Sequence, residues 1–285
     1  MDAVREKNKK RRPMNDMDQI DDKTFASLKE FVYSKCGITF SQNKKPLVSA
    51  RIRKRMRALG YTSPKKYYEY VHEDPTGLEV VFLLDSLATN VTAFYREAAH
   101  FDQLKKILGE WKSKGQKRFR FWSSACSSGE EPYTMAFAIK DVLDAPDFDI
   151  KILGTDISTK VLGAAHQGVY DAAKVMPVPE FQKKKYMEKF NAERSCMYSV
   201  KREIRDLVVF KRLNLVEVPF PMKGPMDAVF CRNVMIYFDR DIRKKLVEEF
   251  YRLIKPGGYL FVGHTESLVG ISGKFNRLGP SVYIK

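Results

Sequence analysis

The chain has 285 residues, enough for one large or two modest domains, with 44% hydrophobic and 30% charged residues. That balance excludes global disorder, and no apolar run approaches the ~18 residues of a membrane span. Fifty-one Lys and Arg against 35 Asp and Glu leave a net charge of +16, which favours an acidic partner without choosing between nucleic acid, an anionic membrane face and a glutamate-rich protein.

Residues 1–15 read as a basic, disordered tail with no secretory signal, so a cytoplasmic location is expected. Residues 16–88 read as a small all-α domain. Phe25, Leu28, Phe31 and Val32 share one helical face, and Val48, Ile52, Met56 and Leu59 share another, with Gly60 placed as a C-terminal cap. Ser63-Pro64 supplies a cap and first-turn proline for a helix carrying Tyr67, Tyr70 and Val71, which Asp74-Pro75 breaks before a further helix over Leu78 to Leu87. The helix from Lys44 to Leu59 carries Arg51, Arg53, Lys54, Arg55 and Arg57 with no Asp or Glu nearby in sequence. Such a run is either a solvated face or a docking surface for an acidic partner.

Residues 89–116 read as a linker helix, and 117–285 as an α/β domain. Strands over Phe119–Ala125, Ile150–Ile157, Met226–Val234, Tyr259–Gly263 and Ser281–Ile284 are spaced by helices over Glu131–Leu143, from Ser158 to a Gly168 cap, and over Asp239–Ile254. Pro256-Gly257-Gly258 is expected to stop the last helix and turn the chain. This alternation implies a mostly parallel, doubly wound sheet. About 177–212 the rhythm breaks: Glu180–Phe190 reads as a basic helix, and Met197–Val200 and Leu207–Phe210 as short strands of an inserted subdomain. The four cysteines, Cys36, Cys126, Cys196 and Cys231, are scattered without a CxxC pair or a histidine partner, which points to reduced thiols and no metal site.

Ligands of doubly wound sheets sit at the carboxyl ends of the strands, where strand order reverses. The first strand enters a loop of small residues, Ser123 to Gly129, followed by Glu130-Glu131-Pro132. A tight turn with no ligand fits the loop equally well. It contains no lysine, which argues against a phosphate cradle. The second strand ends at Asp156, placed to bind ribose hydroxyls or to cap the next helix. Together these features favour an adenosine-bearing ligand without phosphate, and S-adenosylmethionine has those properties.

Four segments go further. Thr89-Asn90-Val91-Thr92-Ala93-Phe94-Tyr95-Arg96-Glu97, Ser124 to Tyr133, Phe230-Cys231-Arg232-Asn233-Val234-Met235-Ile236-Tyr237-Phe238 and Gly263-His264-Thr265-Glu266-Ser267 occur in order. Each resembles a motif of the CheR-type chemotaxis receptor methyltransferases. Cys126 departs from that pattern, where the family carries a small residue such as Ala.

The resemblance implies a Rossmann-like methyltransferase domain with an antiparallel last strand, preceded by the all-α domain. It implies S-adenosylmethionine-dependent methyl esterification of glutamate side chains on chemoreceptors, giving S-adenosylhomocysteine. Asn90, Thr92, Arg96, Glu131, Asp156, Asn214, Leu215, Asn233 and Val234 are the implied cofactor contacts, and Arg96 and Tyr237 the implied catalytic pair. Arg96 beside Glu97 also fits an exposed ion pair, and Tyr237 also fits a packing role. His264 reads as structural or pocket-lining. The implied partner is the receptor's helical bundle, met by a monomer through the basic helix. Nucleic acid and membrane insertion are not expected. The stretch Lys183–Val209 lacks glycine, so binding of a receptor's C-terminal pentapeptide is not expected. A non-catalytic S-adenosylmethionine sensor and an RNA methyltransferase are the alternatives.

Overall fold

The computed structural model describes residues 20–88, 90–192 and 195–285; the expected tail, residues 1–15, and Thr89 lie outside them. Four helices come first: α1 (Asp22–Cys36), α2 (Lys45–Leu59), α3 (Pro64–Glu73) and α4 (Leu78–Leu87). Their ends follow local chemistry. The Asp21 carboxylate accepts from the Thr24 N–H at the start of α1, Ser63 accepts from the Lys66 N–H at the start of α3, and Gly60 closes α2 in the left-handed conformation. Phe25, Leu28, Val32, Val48, Ile52, Met56, Tyr67, Val71 and Leu83 form their common core.

Helix α5 (Ala99–Ser113) leads into β1 (Arg118–Ser123), α6 (Glu130–Val142), β2 (Asp149–Asp156) and α7 (Thr159–Gln167). Then come β3 (Val169–Asp171), α8 (Ala172–Val175), α9 (Glu180–Tyr186), β4 (Met187–Ala192), β5 (Ser195–Val200), α10 (Arg202–Arg205) and β6 (Val208–Arg212). The chain ends with β7 (Met226–Cys231), α11 (Arg240–Leu253), β8 (Ile254–Val262), β9 (Asn276–Arg277) and β10 (Val282–Ile284). The main sheet has the order β6-β2-β1-β7-β8-β10-β9, and β3, β5 and β4 form a second, antiparallel sheet. Strands β6, β2, β1, β7 and β8 are parallel, and β10 runs antiparallel to β8. Strand order reverses on either side of β1, which makes the carboxyl ends of β1, β2 and β7 the place for a ligand.

Three expectations are corrected. The helix over Glu180–Phe190 stops at Tyr186, because Met187–Ala192 pairs along its whole length with Ser195–Val200 and the ladder takes over its backbone bonds. The inserted sheet spans Val169 to Val200 rather than 177–212, and the Leu207–Phe210 piece belongs to β6, the edge of the main sheet beside β2. Pro256-Gly257-Gly258 lies inside β8, which starts directly after α11. There the register against β7 shifts between Met226 and Ala228, and a Cβ on Gly258 would stand 2.8 Å from the Asp227 carbonyl.

The helical domain is seated on the carboxyl side of the sheet. Thr39 N–H donates to the Tyr237 carbonyl at 3.2 Å, and Asn214 Nδ2 donates to the Lys35 carbonyl at 2.7 Å. Gly37 ends α1 at φ 67°, and a Cβ there would lie 2.6 Å from side-chain atoms of both Ile242 and Val216. Only glycine allows that approach.

Candidate active site

At the switch point a cleft opens with about 1030 Å³ of non-protein space, mouth included. Segments far apart in sequence build it: the strap Asn90–Ala93 with Arg96, the loop after β1, Asp156-Ile157 after β2, Leu213–Leu215 after β6, and Arg232–Val234 with Tyr237 and Phe238 after β7. Cys36, Ile38 and Phe40 close it from the helical domain. Thus Asn90, Thr92, Arg96, Glu131, Asp156, Asn214, Leu215, Asn233, Val234 and Tyr237 all face one space. The cations among the residues lining it are Arg96 and Arg232, and none is a lysine.

The loop after β1 is held by its neighbours' backbone. Ser124 N–H donates to the Phe230 carbonyl and Cys126 N–H to the Thr155 carbonyl, while Ser127 Oγ donates to the Asn90 carbonyl at 3.1 Å. The Cys126 thiol is fully buried, and burial pushes its pKa up. It packs as a small apolar group.

Asp156 is 8% exposed; one oxygen accepts from Ser127 N–H at 2.9 Å and the other from Ser158 N–H at 3.0 Å. Each oxygen keeps a lone pair for a hydroxyl donor in the cleft. The helix-capping role falls to Ser158, whose Oγ accepts from the Val161 N–H. Burial raises the Asp156 carboxyl above its ordinary value, against the pull of those two amides. Asn214 spends its amide on Lys35 and Glu217, so its side chain anchors the helical domain while its backbone borders the cleft.

Glu131, on the first turn of α6, accepts from Ser123 Oγ at 2.6 Å on one oxygen and from Arg232 Nη1 at 2.8 Å on the other. Burial raises its pKa, with Arg232 and Ser123 opposing. Arg96 Nη1 donates to the Val91 carbonyl at 2.8 Å. The expected alternative of an exposed Arg96–Glu97 pair is corrected: Glu97 turns inward, accepts from Asn233 Nδ2 at 3.2 Å and the His264 N–H at 3.3 Å, and lies 3.2 Å from Arg232. Burial opposes its charge, but Arg232 and those two donors hold its carboxyl below the ordinary range.

Two residues that the site depends on were not singled out from the sequence. Arg232 is 5% exposed and bridges Glu97 and Glu131. Glu266 accepts from the N–H groups of Asn233, Val234 and Gly263, which fixes the loop after β7 with Asn233 at φ 58°. A Cβ on Gly263 would stand 2.6 Å from Asn233 Nδ2 and 2.7 Å from Glu266 Oε2, so a side chain there would push both out of these hydrogen bonds. His264 does not line the cleft. With Glu97 and His100 it places three ligand-type atoms within 4.8 Å of one another.

The basic helix is also corrected in part. Arg51 donates to the Leu87 and Ala88 carbonyls at the end of α4. Arg55 forms two hydrogen bonds, at 2.8 and 2.5 Å, with the buried Glu79, which also accepts from Tyr67, and it packs over Phe82. These two are structural, whereas Lys54 and Arg57 are exposed.

A parallel sheet whose switch point opens onto a buried carboxylate at the end of β2, a second on the helix after β1 and no lysine is the nucleoside-binding architecture of the S-adenosylmethionine-dependent methyltransferases. The chain belongs to the CheR methyltransferase family: the model of that family's S-adenosylmethionine-binding domain matches residues 90–284 and the model of its all-alpha domain matches residues 23–88. It is 35% identical to the chemotaxis protein methyltransferase of Borreliella burgdorferi, over 90% of this chain and 92% of that one. It is 33% identical to that of Salmonella typhimurium, covering 93% and 90%. It is 36% identical to chemotaxis protein methyltransferase 2 of Pseudomonas aeruginosa, covering 91% of each.

Proposed function

We propose that this protein methylates glutamate side chains of chemotaxis receptors in the cytoplasm, acting as a monomer with S-adenosylmethionine as donor. The observation that carries the reading is the convergence of Asp156, Glu131, Arg96 and Tyr237 from four separate segments onto one cleft. When bound, S-adenosylmethionine would supply a sulfonium methyl whose carbon a glutamate oxygen attacks, the C–O bond forming as the C–S bond breaks, so that a methyl ester forms and neutral S-adenosylhomocysteine leaves.

The residues fit that donor. Asp156 receives ribose hydroxyls on its free lone pairs, Glu131 pairs with an ammonium, and Ile157, Leu215, Val234 and Phe238 offer apolar surface to a purine. Asn90, Thr92, Asn214 and Asn233 complete the wall. A glutamate side chain, with a reference pKa of about 4.3, is already ionised at neutral pH, so no general base is needed. What the chain must supply is alignment in a water-poor cleft, and proximity of this kind is worth several kcal/mol. Arg96 aligns a carboxylate by charge, and Tyr237 donates a hydrogen bond beside it. On the surface, Lys54 and Arg57 of α2 attract an acidic receptor bundle.

The test is transfer from methyl-labelled S-adenosylmethionine to a chemoreceptor cytoplasmic fragment. Label that disappears when the fragment's methylation-site glutamates are changed to alanine supports the reading. Calorimetric binding of the donor without transfer would replace it with a sensor role, and label on RNA would replace it with an RNA methyltransferase.

A further inference from the structure

Arg232 follows β7 on the wall of the cleft, where it joins the strap that carries Arg96 to the helix that carries Glu131. Its Nη1 donates to Glu131 Oε2, and its Nη2 donates to the Arg96 carbonyl and lies 3.2 Å from Glu97 Oε2. Its guanidinium carbon stands 5.5 Å from the Phe101 ring centre. The contact with Glu97 is one of charge rather than a hydrogen bond: Glu97 Oε2 and Arg232 Nε are both buried with no hydrogen-bond partner among the described residues. A buried guanidinium is costly unless such partners surround it, and each partner left without it is costly in turn.

The strap that carries Arg96 is strained. Tyr95 and Glu97, on either side of it, both have φ 56°, the left-handed region that is sterically costly for any residue but glycine. That turn persists only if the surroundings hold it. Arg232 holds it twice, through the Arg96 carbonyl and through the Glu97 carboxylate, while its other arm fixes the rotamer of Glu131. The Glu97, His100 and His264 cluster has the spacing of a metal site, but the guanidinium beside Glu97 already supplies the cation there.

We propose that Arg232 is a positioning residue for methyl transfer: a single internal cation that sets the Arg96 turn and the Glu131 carboxylate against each other across the cleft. The proposal rests on the reading of the cleft as the S-adenosylmethionine site. Lysine keeps the charge but not the planar fork that donates to Glu131 and the Arg96 carbonyl at once while lying beside Glu97.

The test compares the full-length Arg232→Lys variant with wild type by calorimetry with S-adenosylhomocysteine, by KM and kcat for methyl transfer, and by thermal midpoint. The expected result is an affinity lower by about ten-fold or more, a matching rise in KM for the donor and a lower kcat, since the Arg96 turn moves with it. Should that variant not fold, Glu97→Gln/Arg232→Met removes one negative charge together with the guanidinium and is expected to show the same loss. A folded variant whose affinity stays within about twofold of wild type, whatever its thermal midpoint, overturns the proposal and leaves Arg232 a structural residue. Wild type that binds S-adenosylhomocysteine but methylates no receptor sinks the functional reading alone, since the affinity comparison still stands. Wild type that does not bind it sinks both.

Discussion

The chain carries two concentrations of charge, and they mean different things. Helix α2 is dense in one sign along the sequence, yet Arg55 is held by Glu79 and Arg51 caps α4, so much of its charge holds the helical domain together. The cleft wall is sparse in charge along the sequence, yet Glu97, Glu131 and Arg232 meet there, all largely out of solvent. Paired charge inside a cavity orients groups for a ligand, whereas charge on a helix surface mainly biases encounter. Density in sequence is therefore a poor guide to which charges act.

The largest effect that would break this contrast is at Arg96. Arg96→Ala is expected to lower methyl transfer by about 100-fold or more with little change in thermal midpoint, since among the described residues its guanidinium makes one hydrogen bond, to the Val91 carbonyl; a folded variant with normal turnover contradicts it. On the other side, Arg55→Ala strands the 3% exposed Glu79 and is expected to cost about 2–3 kcal/mol in denaturant unfolding, with transfer per folded molecule unchanged. If it instead impaired receptor methylation without destabilising, α2 would be a functional face throughout. Asp156→Asn keeps one acceptor oxygen but loses the charge, and calorimetry should show donor affinity about ten-fold weaker.

The pH dependence follows from burial. The Glu131 and Asp156 carboxyls are raised above their ordinary values, so both take up protons at a higher pH than free carboxylates do. The neutral acids pair with neither an ammonium nor, as strongly, a hydroxyl, so donor affinity is full above these pKa values and is lost as the pH falls through them. Calorimetry over a series of falling pH that starts at neutrality should show affinity declining, with protons released on binding at the acidic end; a flat profile would mean that neither carboxylate meets the donor. The smallest effect is at the surface. Lys54→Glu/Arg57→Glu should raise the KM for receptor only a few-fold, and added salt should erase the difference.

Helix faces, caps and most strand positions were legible because each depends on neighbours in sequence: Ser63-Pro64, Gly60 and Gly168 act within one turn. Three of the four motif segments likewise named residues that converge on one cleft, and the fourth supports it through Glu266 beneath the loop after β7. What escaped depends on distance along the chain. Arg232 stood inside a quoted segment, but its meaning comes from Glu131 and Glu97, 101 and 135 residues earlier; a lone arginine closing an apolar strand was the available signal. Glu79 is 24 residues from Arg55, so the charge of α2 read as unopposed. The strand β6 was assigned to the insertion because the β3, β4 and β5 sheet interrupts the α/β rhythm just before it.

The most direct measurement is alkaline hydrolysis of the labelled product. After reaction with methyl-labelled S-adenosylmethionine and receptor fragment, mild base should release the label as volatile methanol, as a carboxylate methyl ester requires, and the Arg96→Ala protein should yield little. Label that survives base would place the methyl on nitrogen or carbon and contradict glutamate esterification.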